Sequence, residues 1–241
     1  MTIDNRYYDR LGDAWWDPEG PMGLLLRMNR FRYRYFRRVL DTPKGVKLVD
    51  VGCGGGFLAE AFAEDGADVY GLDLSSSAVR TARDHASGQG LCLRVASGRA
   101  ECIPFASGVF DAVLLVDVLE HIDDFAQALA ESSRILKPGG LLLYETANRT
   151  LLSRVGAIWI AEHILKRIPV HSHDWKMFIR PAELLDALEA CGLRNRELQG
   201  LGLKGGVSGF LLRASTGKDP WVFEIGSDTR VSYLGYATKL A

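Results

Sequence analysis

The sequence predicts an α/β chain built on a doubly wound, mainly parallel sheet, with an N-terminal helical cover and an inserted apolar helical segment. Three observations predict it. Between Lys47 and Glu64, apolar Leu48, Val49 and Val51 read as a buried strand, Gly52, Gly54, Gly55 and Gly56 as a tight turn, and the residues from Phe57 as a helix start. A second apolar run, Asp68 to Leu72, ends on Asp73. From Lys47 to Thr146 strands then alternate with helices, which implies parallel pairing through right-handed crossovers.

Each element has its own local reason. Met28, Phe31, Tyr35 and Val39 recur at helical spacing, so residues before Thr42 form an amphipathic helix, with Arg30, Arg34, Arg37 and Arg38 on its other side, either as a solvated face with local ion pairs or as a patch for anionic lipid or an acidic partner. Ahead of it, Trp15 and Trp16 beside Asp17-Pro18-Glu19-Gly20 read as a turn carrying two aromatics that seal a cover or form a lid. After the strand at Asp68 to Leu72, Ser75 or Ser76 can cap a helix reaching about Ala86. Leu91 to Ala96 is a short third strand. The unbroken apolar run Ala112 to Val116 marks a fourth strand, Phe110 to Val116, covered on both faces. A helix from Phe125 to Leu136 stops at Pro138-Gly139-Gly140, and a fifth strand follows at Leu141 to Thr146. Leu151 to Ile168 is strongly apolar but interrupted by Arg154, Lys166 and Arg167, a composition suited to covering a site or resting on a membrane surface. Arg180-Pro181 opens a helix to Ala190, ended by Gly192. Residues Arg194 to Ala241 read as antiparallel finishing strands, with Gly202, Gly205, Gly206 and Gly209 in loops.

With 241 residues the chain suits one domain over 1–241: a cover at 1–44, a core at 45–148, a cap insertion at 149–180 and the last part of the sheet at 181–241. Lys and Arg number 29 against 30 Asp and Glu, so the charge balance gives no reason to expect a nucleic-acid partner. Cys53, Cys92, Cys102 and Cys191 lack CxxC spacing, as expected of reduced thiols and a cytoplasmic protein. The first residues lack the apolar core of a signal peptide, and no run is long enough to span a bilayer.

The glycine turn carries the chemistry. A pyrophosphate favours Gly-x-Gly-x-x-Gly, whereas here an acid, Asp50, precedes Gly52 and Gly54. A carboxylate suits a ligand bearing an ammonium or sulfonium better than a pyrophosphate, which also disfavours a dehydrogenase. The stretch resembles motif I of the class I S-adenosylmethionine-dependent methyltransferases, which implies a Rossmann-like fold. Asp73 stands where a second parallel strand places a carboxylate opposite a ribose, followed by Leu74, and the loop Arg99 to Phe105, with Ala100 and Glu101, can either meet an adenine edge or be a surface connection. Asp117, Glu120 and His121 sit at i, i+3 and i+4; on a helix they would share one face and could hold magnesium or another divalent cation, or Asp117 could cap the helix and His121 pack.

Taken together, Trp15 to Gly20, Arg27-Met28-Asn29 with Arg32, Val49 to Gly56, Leu119-Glu120-His121, Ala147-Asn148-Arg149 and His173-Asp174 through Phe178 to Pro181 resemble the ubiquinone-biosynthesis O-methyltransferase family, over roughly Tyr7 to Arg196. The resemblance implies that Arg32, Gly52, Asp73 and Val116 contact the cofactor, Arg32 at its carboxylate. It implies divalent-cation use by Asp117, Glu120 and His121, although Asp stands where Glu is common, and membrane contact at the inner face through 151–168. The departures fall at Val170-His171-Ser172 and Leu201 to Gly206, near where acceptor specificity would be set.

The expected reaction is O-methylation of a small phenolic acceptor, a catechol or hydroquinone such as a prenylated quinone precursor. Either a metal at Asp117, Glu120 and His121 or a general base, His121 or His173, would handle the phenol proton. Two rivals stand beside it: a metal-independent O- or N-methyltransferase of another small molecule, and a non-catalytic cofactor-binding component of a biosynthetic complex. The sequence does not set the oligomeric state.

Overall fold

Strand β1 (Lys47–Val51) lies in the middle of the sheet, and Leu48, Val49 and Val51 are each at most 1% exposed. Successive side chains of a strand point to opposite faces, so Leu48 and Val49 enter different cores. The computed structural model describes residues 6–154 and 174–240. Around β1 run β2 (Asp68–Asp73), β3 (Arg94–Ser97), β4 (Phe110–Val116), β5 (Leu136–Ala147), β6 (Leu193–Leu203), β7 (Phe223–Gly226) and β8 (Ser232–Lys239).

Their order across the sheet is β3-β2-β1-β4-β5-β8-β6-β7. The pairs from β3 to β5 are parallel, and β8 runs antiparallel between β5 and β6. The chain winds outward in one direction through β2 and β3 and in the other through β4 and β5. The ends of β1 and β4 therefore open a crevice at the switch point, where ligands of such sheets bind. This is the doubly wound, mainly parallel sheet the sequence predicts.

Helices cover both faces. On one, α2 (Gly23–Leu40), α3 (Phe57–Glu64) and α4 (Ser76–Gly88) enclose Phe36, Leu48, Phe62, Val69 and Leu114; on the other, α5 (Phe125–Ile135) and α7 (Pro181–Ala190) enclose Val49, Leu115, Leu129 and Leu184. Ser75 caps α4 by accepting from Ala78 N at 3.1 Å. The cover begins with α1 (Arg6–Asp9) and a 3-10 turn, Gly12–Trp15; Leu11, Trp15 and Met22 form a small core with Phe57 and Ala78. Helix α2 is also stitched to distant chain: Arg27 bonds Asp219 at 2.7 Å, Arg32 bonds Glu145 at 2.8 Å, and Arg38 bonds Glu197 at 2.8 Å.

Four expectations change. Strand β3 starts at Arg94 rather than Leu91. Pro138-Gly139-Gly140 does not stand outside the sheet: β5 begins at Leu136, opposite Phe110, and absorbs the three residues at a register shift between Phe110 and Ala112. Gly202 lies inside β6, paired with Glu224. Gly209 lies inside a helix, α8 (Gly206–Ser215), in a tail expected to hold strands alone; Gly205, at φ 71°, makes the turn before it. A short helix, α6 (Leu151–Ser153), opens the apolar stretch. Most of 151–168, together with His171 and His173, lies outside the described residues. Among the described residues no helix is long and apolar enough to cross a membrane.

Candidate active site

The glycine turn is built around backbone that only glycine adopts freely: Gly52, Gly54 and Gly56 have φ of 81°, 51° and 92°. Space demands glycine as well. A Cβ on Gly52 would lie 2.5 Å from Val118 Cγ2, and one on Gly54 2.8 Å from Trp15 Cη2. The turn is tied to β2, because Gly54 N donates to Asp73 Oδ2 at 2.8 Å while Ser75 N donates to Oδ1 at 2.8 Å. Burial raises the Asp73 pKa and these two N–H donors oppose the rise. Asp50, 4% exposed beneath the turn, is pushed up to about 7 by burial and then by Asp73.

Arg32 projects from α2 into the opposite wall and is 1% exposed. Its Nη2 reaches Glu145 Oε2 at 2.8 Å and Asp117 Oδ2 at 3.3 Å, and its Nη1 donates to Asn29 at 3.0 Å. A charge at this depth needs such partners. Burial pulls the Arg32 pKa down, yet Asp117, Glu145 and Glu120 together raise it above its ordinary value. Glu145 is pushed up to about 7, by burial first, with Arg32 opposing and Asp117 adding. Nε of Arg32 has no hydrogen-bond partner among the described residues.

Beyond β4 the chain does not continue as an α-helix. Asp117 adopts φ 59° with its N–H donating to Glu145 O at 3.2 Å, and Leu119–His121 is a 3-10 turn. The i, i+3, i+4 face assumed for Asp117, Glu120 and His121 therefore does not form. Glu120, 1% exposed, accepts from Thr146 Oγ1 at 2.8 Å through one oxygen and from Ala147 N at 3.2 Å through the other. A divalent cation needs several oxygens open to it. Among the described residues no group of three or more His, Cys, Asp or Glu side chains is placed to hold a metal ion. The donor set does not fit a metal, and the expectation of metal ligands at Asp117, Glu120 and His121 is not carried by this geometry.

One cavity of about 1290 Å³ joins these parts. Arg32, Asp50, Gly52, Gly54, Asp73, Leu74, Ala100, Glu101, Val116, Asp117, Glu120 and His121 all line it, so every described candidate is brought together. His173, the other candidate base, lies outside the described residues. Glu101 pairs with Arg99 at 2.7 Å on the rim. The glycine cradle, the anchored Asp73 and the buried Arg32 with a spare N–H fit the expected sulfonium cofactor, its ribose and its carboxylate in turn. Sequence reasoning missed Glu145, hidden in the apolar pattern of β5, and gave Tyr8 no role, although Tyr8 and Trp15 line the cavity too. It also missed the apolar wall of α8, where Val207, Phe210 and Leu211 face the cavity and no residue is buried. For Glu145, an acid ending an otherwise apolar strand beside the crevice was the available signal.

Comparisons with known proteins agree with this geometry. Residues 49–144 match a family model described as a methyltransferase domain. The ubiquinone biosynthesis O-methyltransferase of Pectobacterium atrosepticum is 38% identical over 195 residues, covering 80% of this chain and 81% of that protein. That of Methylococcus capsulatus is 38% identical over 228 residues, covering 94% and 90%. The crystal structure of magnesium protoporphyrin IX methyltransferase from Synechocystis PCC 6803 with bound SAH matches with a TM-score of 0.66 at 17% identity, covering 98% of this chain and 96% of that one; it speaks to the fold alone.

Proposed function

Because the chain belongs to the ubiquinone biosynthesis O-methyltransferase family, and so is an S-adenosylmethionine-dependent methyltransferase, we propose that it methylates a phenolic oxygen of a catechol or hydroquinone-type quinone precursor. The observation that carries this reading is the continuity of one cavity. It runs from the glycine turn past His121 and onto an apolar wall from α2 and α8, including Leu24, Leu25, Met28, Val207 and Phe210. Such a cavity suits a polar reacting head with an apolar body.

The cofactor, when bound, supplies an electrophilic methyl group on a sulfonium. The protein then has to hold the acceptor oxygen in line and near attack distance, which alone removes a large part of the barrier. In this reading Arg32 holds the amino-acid carboxylate, Asp73 the ribose hydroxyls, and Leu74, Ala100 and Glu101 frame the adenine. Gly52, just past β1, and Val116, ending β4, flank the amino-acid portion. A phenol of pKa about 10 must lose its proton. His121, at the cavity rim, takes it from the acceptor hydroxyl. Divalent assistance is left out because Glu120 and Asp117 are already engaged.

Transfer of a labelled methyl group across catechols, hydroquinones and amines, with and without chelator, tests the proposal. The expected result is transfer to phenolic oxygen that survives chelation, with His121→Ala lowering kcat by about 10²-fold or more while cofactor affinity stays constant. Loss of turnover on chelation alone would restore the metal role, and transfer only to amines would overturn the acceptor.

A further inference from the structure

Tyr8 and Trp15 belong to the cover, in which Trp15 was expected to seal the cover or form a lid and Tyr8 had no expected role, and both line the cavity beside Gly52, Gly54, Asp73 and Asp117. Their rings stack at 5.8 Å and 22°. Tyr8 in turn meets His121 at 6.4 Å and 80°. Trp15 is pressed onto the glycine turn, its six-membered ring against Gly54 and its Cβ against Gly55. Its side chain is in a residue only 4% exposed, and its Nε1 has no hydrogen-bond partner among the described residues. A buried N–H left unmade costs free energy, and an acceptor on a bound ligand would relieve it. Burial, then Asp117, holds the Tyr8 pKa well above its ordinary value, so its ring stays a neutral phenol.

Aromatic faces carry negative charge density and attract cations, most strongly where water is excluded. The methyl donor and its spent product differ in charge at one atom: the donor has a positive sulfonium, and the product a neutral thioether. We propose that Tyr8 and Trp15 form an aromatic wall that recognises the sulfonium charge, so that the cover favours the methyl donor over the demethylated product. Once the methyl group has left, that attraction ends and release of the product is eased. The proposal rests on the cofactor of the family and is independent of which acceptor is methylated.

The test is calorimetric binding of S-adenosylmethionine and of S-adenosylhomocysteine to the full chain without acceptor. It uses wild type, Tyr8→Leu, Tyr8→Phe, and the Tyr8→Phe chain carrying a trifluorinated phenylalanine at that position. The fluorinated ring keeps its shape and drains its negative face, so it separates charge recognition from packing even if Tyr8→Leu fails to fold. Tyr8→Phe should keep the affinity ratio; the trifluorinated ring, and Tyr8→Leu, should weaken the sulfonium ligand about 5- to 20-fold and the thioether less than about twofold. Equal weakening of both ligands, or no weakening of either, would overturn the proposal.

Discussion

Arg32 of α2 and Glu145 of β5, 113 residues apart, bond at 2.8 Å with both side chains 1% exposed. Removing one member of a buried pair strands the other. Glu145→Ala should therefore lower the unfolding free energy by about 2–4 kcal/mol in urea denaturation, somewhat less than a fully orphaned charge because Asp117 remains. Arg38→Ala, which removes a pair whose arginine side chain is 64% exposed, should change it by less than about 1 kcal/mol. Equal effects for the two would show that depth does not govern these pairs.

Gly52→Ala meets two obstacles, a φ of 81° and Val118 Cγ2 at 2.5 Å from the new Cβ. The left-handed backbone alone costs about 1–2 kcal/mol. If the turn gives way to relieve it, cofactor affinity falls roughly tenfold. Gly108→Ala carries similar strain at φ 67°, with nothing within 4 Å, and Gly108 does not line the cavity. Calorimetry should find its affinity unchanged, while both variants lose thermal stability.

Asp50 introduces a pH dependence whose sign is set by its raised pKa of about 7. An unfolded chain releases that proton near pH 4, so between about 4 and 7 the native state holds more protons than the unfolded one. The contribution is present below the unfolded pKa and is lost as pH rises through the folded one. Asp50→Asn should therefore flatten the decline in stability from pH 4 to 7, read as the difference between wild-type and variant denaturation curves across that range. An unchanged slope would place the titration elsewhere.

Much of this arrangement was legible in the sequence because local rules and tertiary context agree there. Strands β1 and β4 were placed to the residue, since an apolar run buried on both faces has few alternatives. The glycine turn and Asp73 were readable for the same reason. Asp117 to His121 was not: its spacing suits a helix, but Asp117 takes a left-handed backbone at φ 59°, Val118 packs against Gly52, and the chain then makes only a 3-10 turn at Leu119–His121. Arg32 was raised from surface to site only by family resemblance, because its burial depends on Asp117, just past β4, and Glu145 of β5, which no local window contains. Helix α8 was missed because Gly205, Gly206 and Gly209 look like loop residues, and its apolar positions face a cavity rather than a core.

Helix α2 is held by Asp219, Glu145 and Glu197, at sequence separations of 192, 113 and 159. During synthesis it is made before the residues that fasten it. Two of these anchors come from β5 and β6, which pair on either side of β8, the last of the described strands. Contacts over such separations form late and slowly. A nascent chain halted before residue 219 would lack Phe223, against which the Phe31 ring packs at 6.0 Å, and would leave that part of the apolar face of α2 uncovered. Apolar surface exposed in that way makes an unfinished chain prone to aggregate.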